Sequence, residues 1–457
     1  MTQPSVRRED AALAAFQALE LELNRRWPES RIEPSLTRIA ALVDLLGSPQ
    51  RCYPVLHIAG TNGKTSVARM LDALMSRVGL RVGRYSSPHL QLATERISLD
   101  GAPISAERYV EVYHDIEPYL ALVDAGSPVP MSKFEVLTAM AFAAFADAPV
   151  DVAVVEVGLG GSWDATNVAD AAVAAITPVA VDHVNYLGSD IEGIAAEKAG
   201  IIKPGSVAVV AEQLPEVARV IAARSVEVGA TVAREGIEFG VLQRDVAVGG
   251  QQLTLQGLGG AYSEIFLPLH GAHQAHNAVL ALAAAEAFFG AGANRALDID
   301  VIRDDFATVI VPGRLERVRT APAVFLDGAH NPHGAQALAA ALRDEFAFHR
   351  LIAVVGMMRD KDARGILAQL EPAVDEIVLT TASSARAMHV DDLAAVAREM
   401  FDDSRVVIEH ELPDAIDTAI GLATGADGDS ELGTGVVVTG SVAMVGQART
   451  LFGHGPQ

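Results

Sequence analysis

The sequence is poor in cysteine: Cys52 is the only one among 457 residues. A single cysteine excludes a disulfide within the chain and any metal site built from several cysteines. Such cysteine usage is typical of proteins from a reducing compartment. We expect Cys52 itself to be a small buried residue beside the first strand.

The chain also lacks long uninterrupted apolar runs and an excess of positive charge. No signal-like apolar segment follows the charged residues Arg7 to Asp10, and Glu286 interrupts the apolar run around it. The 35 lysines and arginines face 58 acidic residues, and the resulting formal charge of −23 opposes non-specific attraction to nucleic acid. We therefore expect a soluble, cytoplasmic protein with neither a membrane nor a nucleic-acid partner. The sequence leaves the oligomeric state open, and we take a monomer as the expectation.

The strongest functional signal is a phosphate-binding loop between a short apolar run at residues 55–58 and an apolar helical pattern. The loop consists of Gly60, Thr61, Asn62, Gly63, Lys64, Thr65 and Ser66. Glycines let backbone N–H groups converge on phosphate oxygens, the helix N-terminus and Lys64 add positive charge, and Thr65 or Ser66 can offer a hydroxyl to Mg²⁺. The loop predicts ATP binding, although Ile58 stands where the usual pattern has its first glycine.

Helical and strand patterns alternate along the chain, as in α/β proteins with a mostly parallel sheet. The chain is too long for one hydrophobic core, and Val311-Pro312-Gly313 is the best candidate hinge. We predict a phosphate-loop, ATP-binding domain over residues 1–310 and a smaller Rossmann-like α/β domain over residues 311–457. Glycine pairs between Thr231 and Pro268 indicate antiparallel hairpins at an edge of the sheet.

Three ionisable residues near strand ends are candidates for the chemistry. Glu156 ends a buried strand, where a Mg²⁺ ligand belongs, although the following glycine turn could satisfy it instead. His183 follows another strand and could bind a second cation, but a lone histidine is usually structural. Lys198 lies on the apolar face of a helix that we predict to begin with a capping box of Ser189 and Glu192. Spacing alone favours a lysine whose head reaches water.

The ordered motifs resemble those of the folylpolyglutamate synthase and dihydrofolate synthase family, in the Mur ligase superfamily. They are residues 60–66, 86–90, 95–97, Phe134-Glu135, 156–161, 164–167, Asp182-His183, 197–201, 273–278, 312–314, 327–332, 360–362 and 439–441. The resemblance extends from about Leu36 to Arg449. Thr65 stands where the family often has glycine, and Ser162-Trp163 replace an Arg-Leu pair, which bears on pterin recognition.

This resemblance implies an ATP-dependent ligase that adds L-glutamate to a pterin-bearing acid through an acyl phosphate. It implies two Mg²⁺ sites, the first with Thr65 or Ser66, Ser87 and Glu156 and the second with His183 and a carbamylated Lys198. Lys64, His183 and Lys198 would be the catalytic residues. The implied nucleotide contacts are Asn277, Arg314, Asp327 and His330, and the implied substrate contacts are Phe134, Asp164 and Ala165.

Several of these residues also have structural explanations. Arg314 could form a surface ion pair, Asp327 could cap the helix that starts near Pro332, and Phe134 falls on an ordinary helical core stripe. A muramyl-peptide ligase is the main rival function, since it would share the fold and the acyl-phosphate chemistry. A GTPase-like switch is disfavoured, because the chain has no Asn-Lys-x-Asp motif. Dihydropteroate and reduced folates remain open as substrates.

Overall fold

The computed structural model describes residues 3–27, 33–290, 296–382, 384–424 and 433–457. Its strands form three sheets, and helices cover both faces of the first and the third. The helices are α1 (Gln3–Leu23), α2 (Thr37–Leu45), α3 (Lys64–Arg77), α4 (Ala106–Gly126), α5 (Lys133–Asp147), α6 (Val184–Leu187), α7 (Ile191–Ala199), α8 (Pro215–Val228), α9 (Ala272–Phe288), α10 (Ile299–Phe306), α11 (Pro332–Glu345), α12 (Ala363–Leu370), α13 (Val390–Ala397), α14 (Leu412–Thr424) and α15 (Val442–Leu451).

The first sheet has eight strands in the order β4-β3-β2-β5-β1-β6-β7-β8. They are β1 (Val55–Ala59), β2 (Val82–Tyr85), β3 (Ile97–Leu99), β4 (Ala102–Pro103), β5 (Val152–Glu156), β6 (Ala171–Ile176), β7 (Val207–Val210) and β8 (Thr231–Arg234). The six strands from β2 to β8 in this order are parallel, whereas β3 and β4 pair antiparallel at one edge. Every residue of β1 and β5 is buried, because helices pack on both sides of these central strands.

The second sheet is a small antiparallel one made of β9 (Gly240–Ala247), β10 (Gly250–Gln256) and β11 (Ala261–Leu267). The predicted hairpins are present, but their predicted place at the edge of the large sheet is wrong. Leu253, Leu255 and Tyr262 bury their side chains in the core that α3 and α9 share with the large sheet. The edge itself is taken by β8, which pairs parallel with β7.

The third sheet has the order β12-β13-β17-β14-β15-β16 and carries its own cores on its two faces. Its strands are β12 (Glu316–Thr320), β13 (Ala323–Leu326), β14 (Arg350–Val355), β15 (Glu376–Leu379), β16 (Val406–Ile408) and β17 (Thr434–Thr439). The last five are parallel, and β12 is an antiparallel edge strand that the sequence did not predict. Its residues, Glu-Arg-Val-Arg-Thr, are too polar to stand out as a strand.

These features confirm the predicted fold class, a mixed α/β protein with a large, mostly parallel sheet and a second α/β sheet after it. Residues 307–315 connect α10 to β12, and the proposed hinge lies within them. Two local predictions are wrong. Cys52 is exposed rather than buried, and the cap of α7 is Asp190, whose carboxylate accepts from the amides of Glu192 and Gly193. No helix in the described ranges is long and apolar enough to cross a membrane.

Candidate active site

The phosphate-binding loop connects β1 to α3 through two glycines that no other residue could replace. Gly60 and Gly63 have φ angles of +141° and +93°, a region that side chains rarely adopt. A Cβ at Gly60 would lie 1.8 Å from Oγ1 of Thr177, and one at Gly63 would lie 2.4 Å from Oδ1 of Asn277. The α3 N-terminus has no side-chain cap, so its amides remain available to an anion.

Lys64 lies at the first position of α3 and folds back over the loop. Its Nζ donates to the carbonyls of Gly60 and Thr61, each at 3.2 Å. Burial lowers the pKa of Lys64, while the charges of Glu156 and Asp182 oppose that shift. The ammonium is therefore held at the place where phosphate oxygens would meet the loop.

Glu156 ends β5 beside the phosphate-binding loop, as predicted. Its carboxylate is 1 % exposed and accepts from Oγ1 of Thr65 at 2.9 and 3.2 Å. The amide of Ser87 also faces it. Burial raises the pKa of Glu156, and the charge of Lys64 opposes the shift. The partners of this carboxylate are thus Thr65 and Ser87 rather than the glycine turn that follows it.

This set of oxygens suits Mg²⁺ in a nucleotide complex. Magnesium in such sites usually has one or two protein carboxylates and hydroxyls, with phosphate oxygens and water completing its shell. Glu156, Thr65 and Ser87 provide one carboxylate and two hydroxyls at the mouth of the loop, and Ser66 follows in the first turn of α3. Among the described residues, no group of three or more His, Cys, Asp or Glu side chains could hold a metal on its own.

His183 and Lys198 approach the loop from the segment after β6. His183 has a φ of +53°, and burial lowers its pKa to about 4. Lys198 is 5 % exposed, and its Nζ donates to the carbonyl of Gly60 at 2.9 Å. Burial, reinforced by the charge of Lys64, lowers the pKa of Lys198 to about 7. Its head therefore lies inside the protein and not in water.

Residues of the third sheet close the opposite wall. Asp327 follows β13, and its two oxygens accept from the amides of Leu315 and Ala329 at 2.9 and 2.8 Å. Burial raises the pKa of Asp327, which the neighbouring Arg314 opposes. The alternative in which Asp327 caps α11 is wrong, because that cap is Asn331, which accepts from the amide of Gly334.

All fifteen residues that the sequence predicted for nucleotide and cations line one cavity of about 980 Å³. They are Gly60, Thr61, Asn62, Gly63, Lys64, Thr65, Ser66, Ser87, Glu156, His183, Lys198, Asn277, Arg314, Asp327 and His330. Asn277 donates to Oε1 of Gln274 at 3.0 Å, and Nδ1 of His330 lies 2.8 Å from the carbonyl of Gly328. The structure therefore brings the predicted residues together, while their roles stay predictions.

A second cavity of about 210 Å³ contains the three predicted substrate residues Phe134, Asp164 and Ala165. The ring of Phe134 lies 6.1 Å from that of Tyr85 and closes over Gly158, where a Cβ would come within 2.5 Å of it. Phe134 is only partly buried against the core. It therefore belongs to the apolar stripe of its helix and also lines the cavity. An aromatic wall beside a buried carboxylate suits a flat heterocycle with hydrogen-bond donors.

The two cavities meet. Ser87, Pro88, Gly158, Leu159 and His183 line both of them. The smaller cavity is therefore continuous with the space around the phosphate-binding loop. That juxtaposition is what phosphoryl transfer between two bound substrates requires.

The sequence assigned no role to a set of residues that joins the two walls of the larger cavity. Lys361 donates to Oδ1 of Asp182 at 2.8 Å, and both side chains are nearly buried. Asn331 donates to Oδ2 of the same aspartate at 2.9 Å and to Oδ1 of Asn62 at 3.0 Å. Asp182, Lys361 and Asn331 all occur in the motifs quoted above, but only the fold shows that they meet.

Two family models match the chain: "Mur ligase middle domain" at residues 58–285 and "Mur ligase, glutamate ligase domain" at residues 313–442. The chain is 60 % identical over 464 residues to the dihydrofolate synthase/folylpolyglutamate synthase of Mycobacterium tuberculosis, covering 97 % of this chain and 95 % of that protein. It is 37 % identical over 347 residues to the enzyme of the same name from Escherichia coli, covering 76 % and 77 %.

Solved structures of the same family also superpose on this chain. Mycobacterium tuberculosis folylpolyglutamate synthase complexed with ADP superposes with a TM-score of 0.94 at 59 % identity, covering 98 % of this chain and all of that one. Escherichia coli FolC in complex with DHPP and ADP superposes with a TM-score of 0.84 at 31 % identity, covering 96 % and 97 %. The chain belongs to the dihydrofolate synthase/folylpolyglutamate synthase family of Mur ligases.

Proposed function

We propose that the protein is an ATP-dependent ligase that adds L-glutamate to dihydropteroate and to reduced folates. The observation that carries this proposal is the junction of the two cavities at Ser87, Gly158 and His183. The larger cavity suits a nucleotide, because the phosphate-binding loop and Lys64 lie on one wall. The smaller one suits a flat pterin, because it pairs the ring of Phe134 with the carboxylate of Asp164.

The reaction follows from this arrangement. A carboxylate oxygen of the pterin-bearing acid attacks the γ-phosphorus of ATP, the bond to the bridging oxygen breaks, and ADP leaves. The α-amine of glutamate then attacks the acyl phosphate, phosphate departs with the oxygen it gained, and the amine loses a proton as the amide forms. Catalysis is chiefly positioning and charge neutralisation, since several anionic groups must approach one another. Lys64 supplies a fixed positive charge on the phosphates.

Thr65, Ser66, Ser87 and Glu156 would hold the nucleotide Mg²⁺. When bound, the ion neutralises phosphate charge and orients the γ-phosphate for in-line attack. Of these four residues, Glu156 alone has a carboxylate, and the hydroxyl of Thr65 is hydrogen-bonded to it.

His183 and Lys198 would hold a second cation, with Lys198 as a carbamate. Burial favours the neutral amine of Lys198, and a neutral amine reacts with CO₂ to give a carbamate anion and a proton. The anion would offer a charged oxygen ligand near His183, in addition to Asp182, whose carboxylate lies 3.8 Å from Nε2 of His183 and is already paired with Lys361.

Further assignments are proposed on the same grounds. Asn277, Arg314, Asp327 and His330 would contact the nucleotide, so ATP would bridge a domain of residues 1–310 and one of residues 311–457. Phe134, Asp164 and Ala165 would contact the pterin. We also propose that the protein is cytoplasmic, because its single cysteine fits a reducing compartment, and that it acts as a monomer. Size-exclusion chromatography measures the oligomeric state and tests this proposal.

The experiment for the proposed function is ADP release measured with ATP, glutamate and each acid in turn. Turnover is expected with dihydropteroate and with a tetrahydrofolate, and each should require glutamate. Lys64→Ala serves as the control for contaminating ATPases, since it should abolish the signal. Turnover only with a UDP-muramyl substrate would show that the protein is a muramyl-peptide ligase instead. Activity with folates but not with dihydropteroate would show that the protein is not a dihydrofolate synthase.

A further inference from the structure

A chain of hydrogen bonds leads from the smaller cavity into the middle of the first sheet. Oγ1 of Thr166 lies 2.5 Å from Oδ1 of Asp164, and Nε2 of His57 lies 2.8 Å from the same hydroxyl. His57 is in the centre of β1, between β5 and β6. His57 and Thr166 are 0 % exposed, and neither is among the residues that line the cavity.

The donors around Asp164 show in which direction these hydrogen bonds run. Oδ1 accepts from the amide of Thr166 at 3.0 Å, Oδ2 accepts from the amide of Leu159 at 2.9 Å, and the amide of Gly158 also faces the carboxylate. Burial raises the pKa of Asp164, and these donors only oppose that rise. The direction follows from the geometry instead, because both carboxyl oxygens receive N–H or O–H donors and therefore act as acceptors.

The state of His57 follows from the single proton on the Thr166 hydroxyl. Because that proton goes to Asp164, the hydroxyl must accept from Nε2–H of His57. A second ring proton is disfavoured, since burial, together with the charge of Lys203, lowers the pKa of His57 to about 3. Nδ1 of His57 then carries no proton, and among the described residues it has no hydrogen-bond partner.

A buried ring nitrogen without a partner weakens a fold, and an apolar residue in β1 would avoid that loss. Packing alone therefore does not account for a histidine at position 57. What the histidine does make is one hydrogen bond, to the hydroxyl that holds the cavity carboxylate.

We propose that His57 and Thr166 are positioning residues for the pterin-bearing substrate, which hold the carboxyl group of Asp164 in one orientation at the wall of the smaller cavity. The inference rests on the proposed function, because it takes that acid as the occupant. The two donors of Thr166 occupy Oδ1, so donor groups of the ligand would meet the remaining lone pair of Oδ2, which also accepts from the amide of Leu159. Loss of the hydroxyl leaves Oδ1 with the amide of Thr166 as its one remaining donor from this residue, and the carboxyl group can then turn. The phosphate-binding loop takes no part in this series of hydrogen bonds.

The test compares two variants of one residue. Thr166→Val removes the hydroxyl and nearly keeps the shape, whereas Thr166→Ser keeps the hydroxyl. Steady-state kinetics with ATP, glutamate and dihydropteroate should show KM for dihydropteroate raised at least about tenfold in Thr166→Val, or about 1.4 kcal/mol. KM for ATP should not change, and Thr166→Ser should stay within about twofold of wild type. Melting temperatures and calorimetric titration with ADP check folding.

His57 offers a second pair if Thr166→Val does not fold. His57→Leu removes the donor and should raise KM for dihydropteroate, while His57→Gln, whose amide can reach the same place, should restore part of it. An unchanged KM for dihydropteroate in both Thr166→Val and His57→Leu would overturn the inference, as would Thr166→Ser being as impaired as Thr166→Val. A wild-type protein that does not use dihydropteroate would instead contradict the proposed function, so the two failures are distinguishable.

Discussion

The side-chain amides of Asn62 and Asn331 exchange two hydrogen bonds, at 3.2 and 3.0 Å, although 269 residues separate them in the chain. Asn62 belongs to the phosphate-binding loop, and Asn331 caps α11 in the C-terminal α/β unit. Beside them, the Asp182–Lys361 ion pair makes a second link between the same two regions. The loop that would hold the phosphates is thus joined directly to the opposite wall of its cavity.

The first prediction concerns that amide pair. In a double-mutant cycle with Asn62→Ala and Asn331→Ala, we expect a coupling of about 1 kcal/mol in kcat/KM for ATP. The cycle removes the separate effect of the lost α11 cap, because that effect is present with and without Asn62. The measurement is steady-state ADP release for the wild type, both single variants and the double variant. Additive effects would show that the pair does not support turnover.

The second prediction concerns the two proposed domains. A fragment of residues 1–310 should fold, because the cores around the first sheet are separate from those of the third. It keeps the loop but lacks Arg314 and Asp327, so it should turn over no ATP. Circular dichroism checks that the fragment is folded, and ADP release checks activity. Turnover by the folded fragment would show that residues after 310 do not complete the nucleotide site.

The third prediction is a pH dependence of stability at Glu345, the last residue of α11. Its carboxylate accepts from the amide of Gly271 at 2.8 Å, lies 3.1 Å from Nδ1 of His270, and pairs with Arg244. Burial alone would raise the pKa of Glu345, but these donors and the charge of Arg244 outweigh it, and the pKa is lowered.

A carboxylate with a lowered pKa stabilises the fold above its unfolded pKa, and the contribution is lost as pH falls through the folded value. Glu345→Gln should therefore lower the free energy of unfolding at pH 7 by about 1.5–3 kcal/mol. The difference from wild type should shrink as pH falls below the usual glutamate value of about 4.3, because protonation of Glu345 leaves it as uncharged as the glutamine. Melting curves of the two proteins from pH 7 to pH 3 measure it. A difference that persists at the acid end would assign the effect to shape rather than to charge.

The fourth prediction separates a carbamate at Lys198 from a free lysine. A carbamate is an anion, so Lys198→Ala should lose activity, added short carboxylic acids should restore part of it, and Lys198→Arg should stay inactive. A free lysine would act through its positive charge, in which case Lys198→Arg would keep activity. The measurement is ADP release for both variants with and without acetate or formate. An active Lys198→Arg, or an unmodified amine in a high-resolution map with substrates bound, would rule the carbamate out.

Local signals predicted the parts of this protein that depend on short stretches of chain. The bounds of β5 and β7 follow from apolar runs that end at polar residues or turns, and the loop at Gly60 follows from its glycines and flanks. The large sheet and the class of fold follow from the alternation of such patterns. The predicted cap of α7 was wrong because two neighbouring residues, Ser189 and Asp190, can each cap a helix equally well.

Features that depend on distant contacts were not visible in the sequence. β12 is polar because it lies on an edge, so its only signal is its pairing with β13. The hairpins after Gly240 bury one face on α9, and nothing in their alternation says which surface they cover. The Asn62–Asn331 and Asp182–Lys361 contacts join segments about 180 to 270 positions apart, and His57 reads as one more strand residue until Thr166 is placed beside it.

The central claim is that activation proceeds by transfer of the γ-phosphoryl group to a carboxylate of the pterin-bearing acid. The most direct measurement uses dihydropteroate whose carboxylate carries oxygen-18, with ATP and glutamate, and mass spectrometry of the released phosphate. Because the attacking oxygen leaves with the phosphate when the amine displaces it, each turnover should place one labelled oxygen in inorganic phosphate and none in ADP. Phosphate without label, or label in a released AMP, would contradict the acyl-phosphate account.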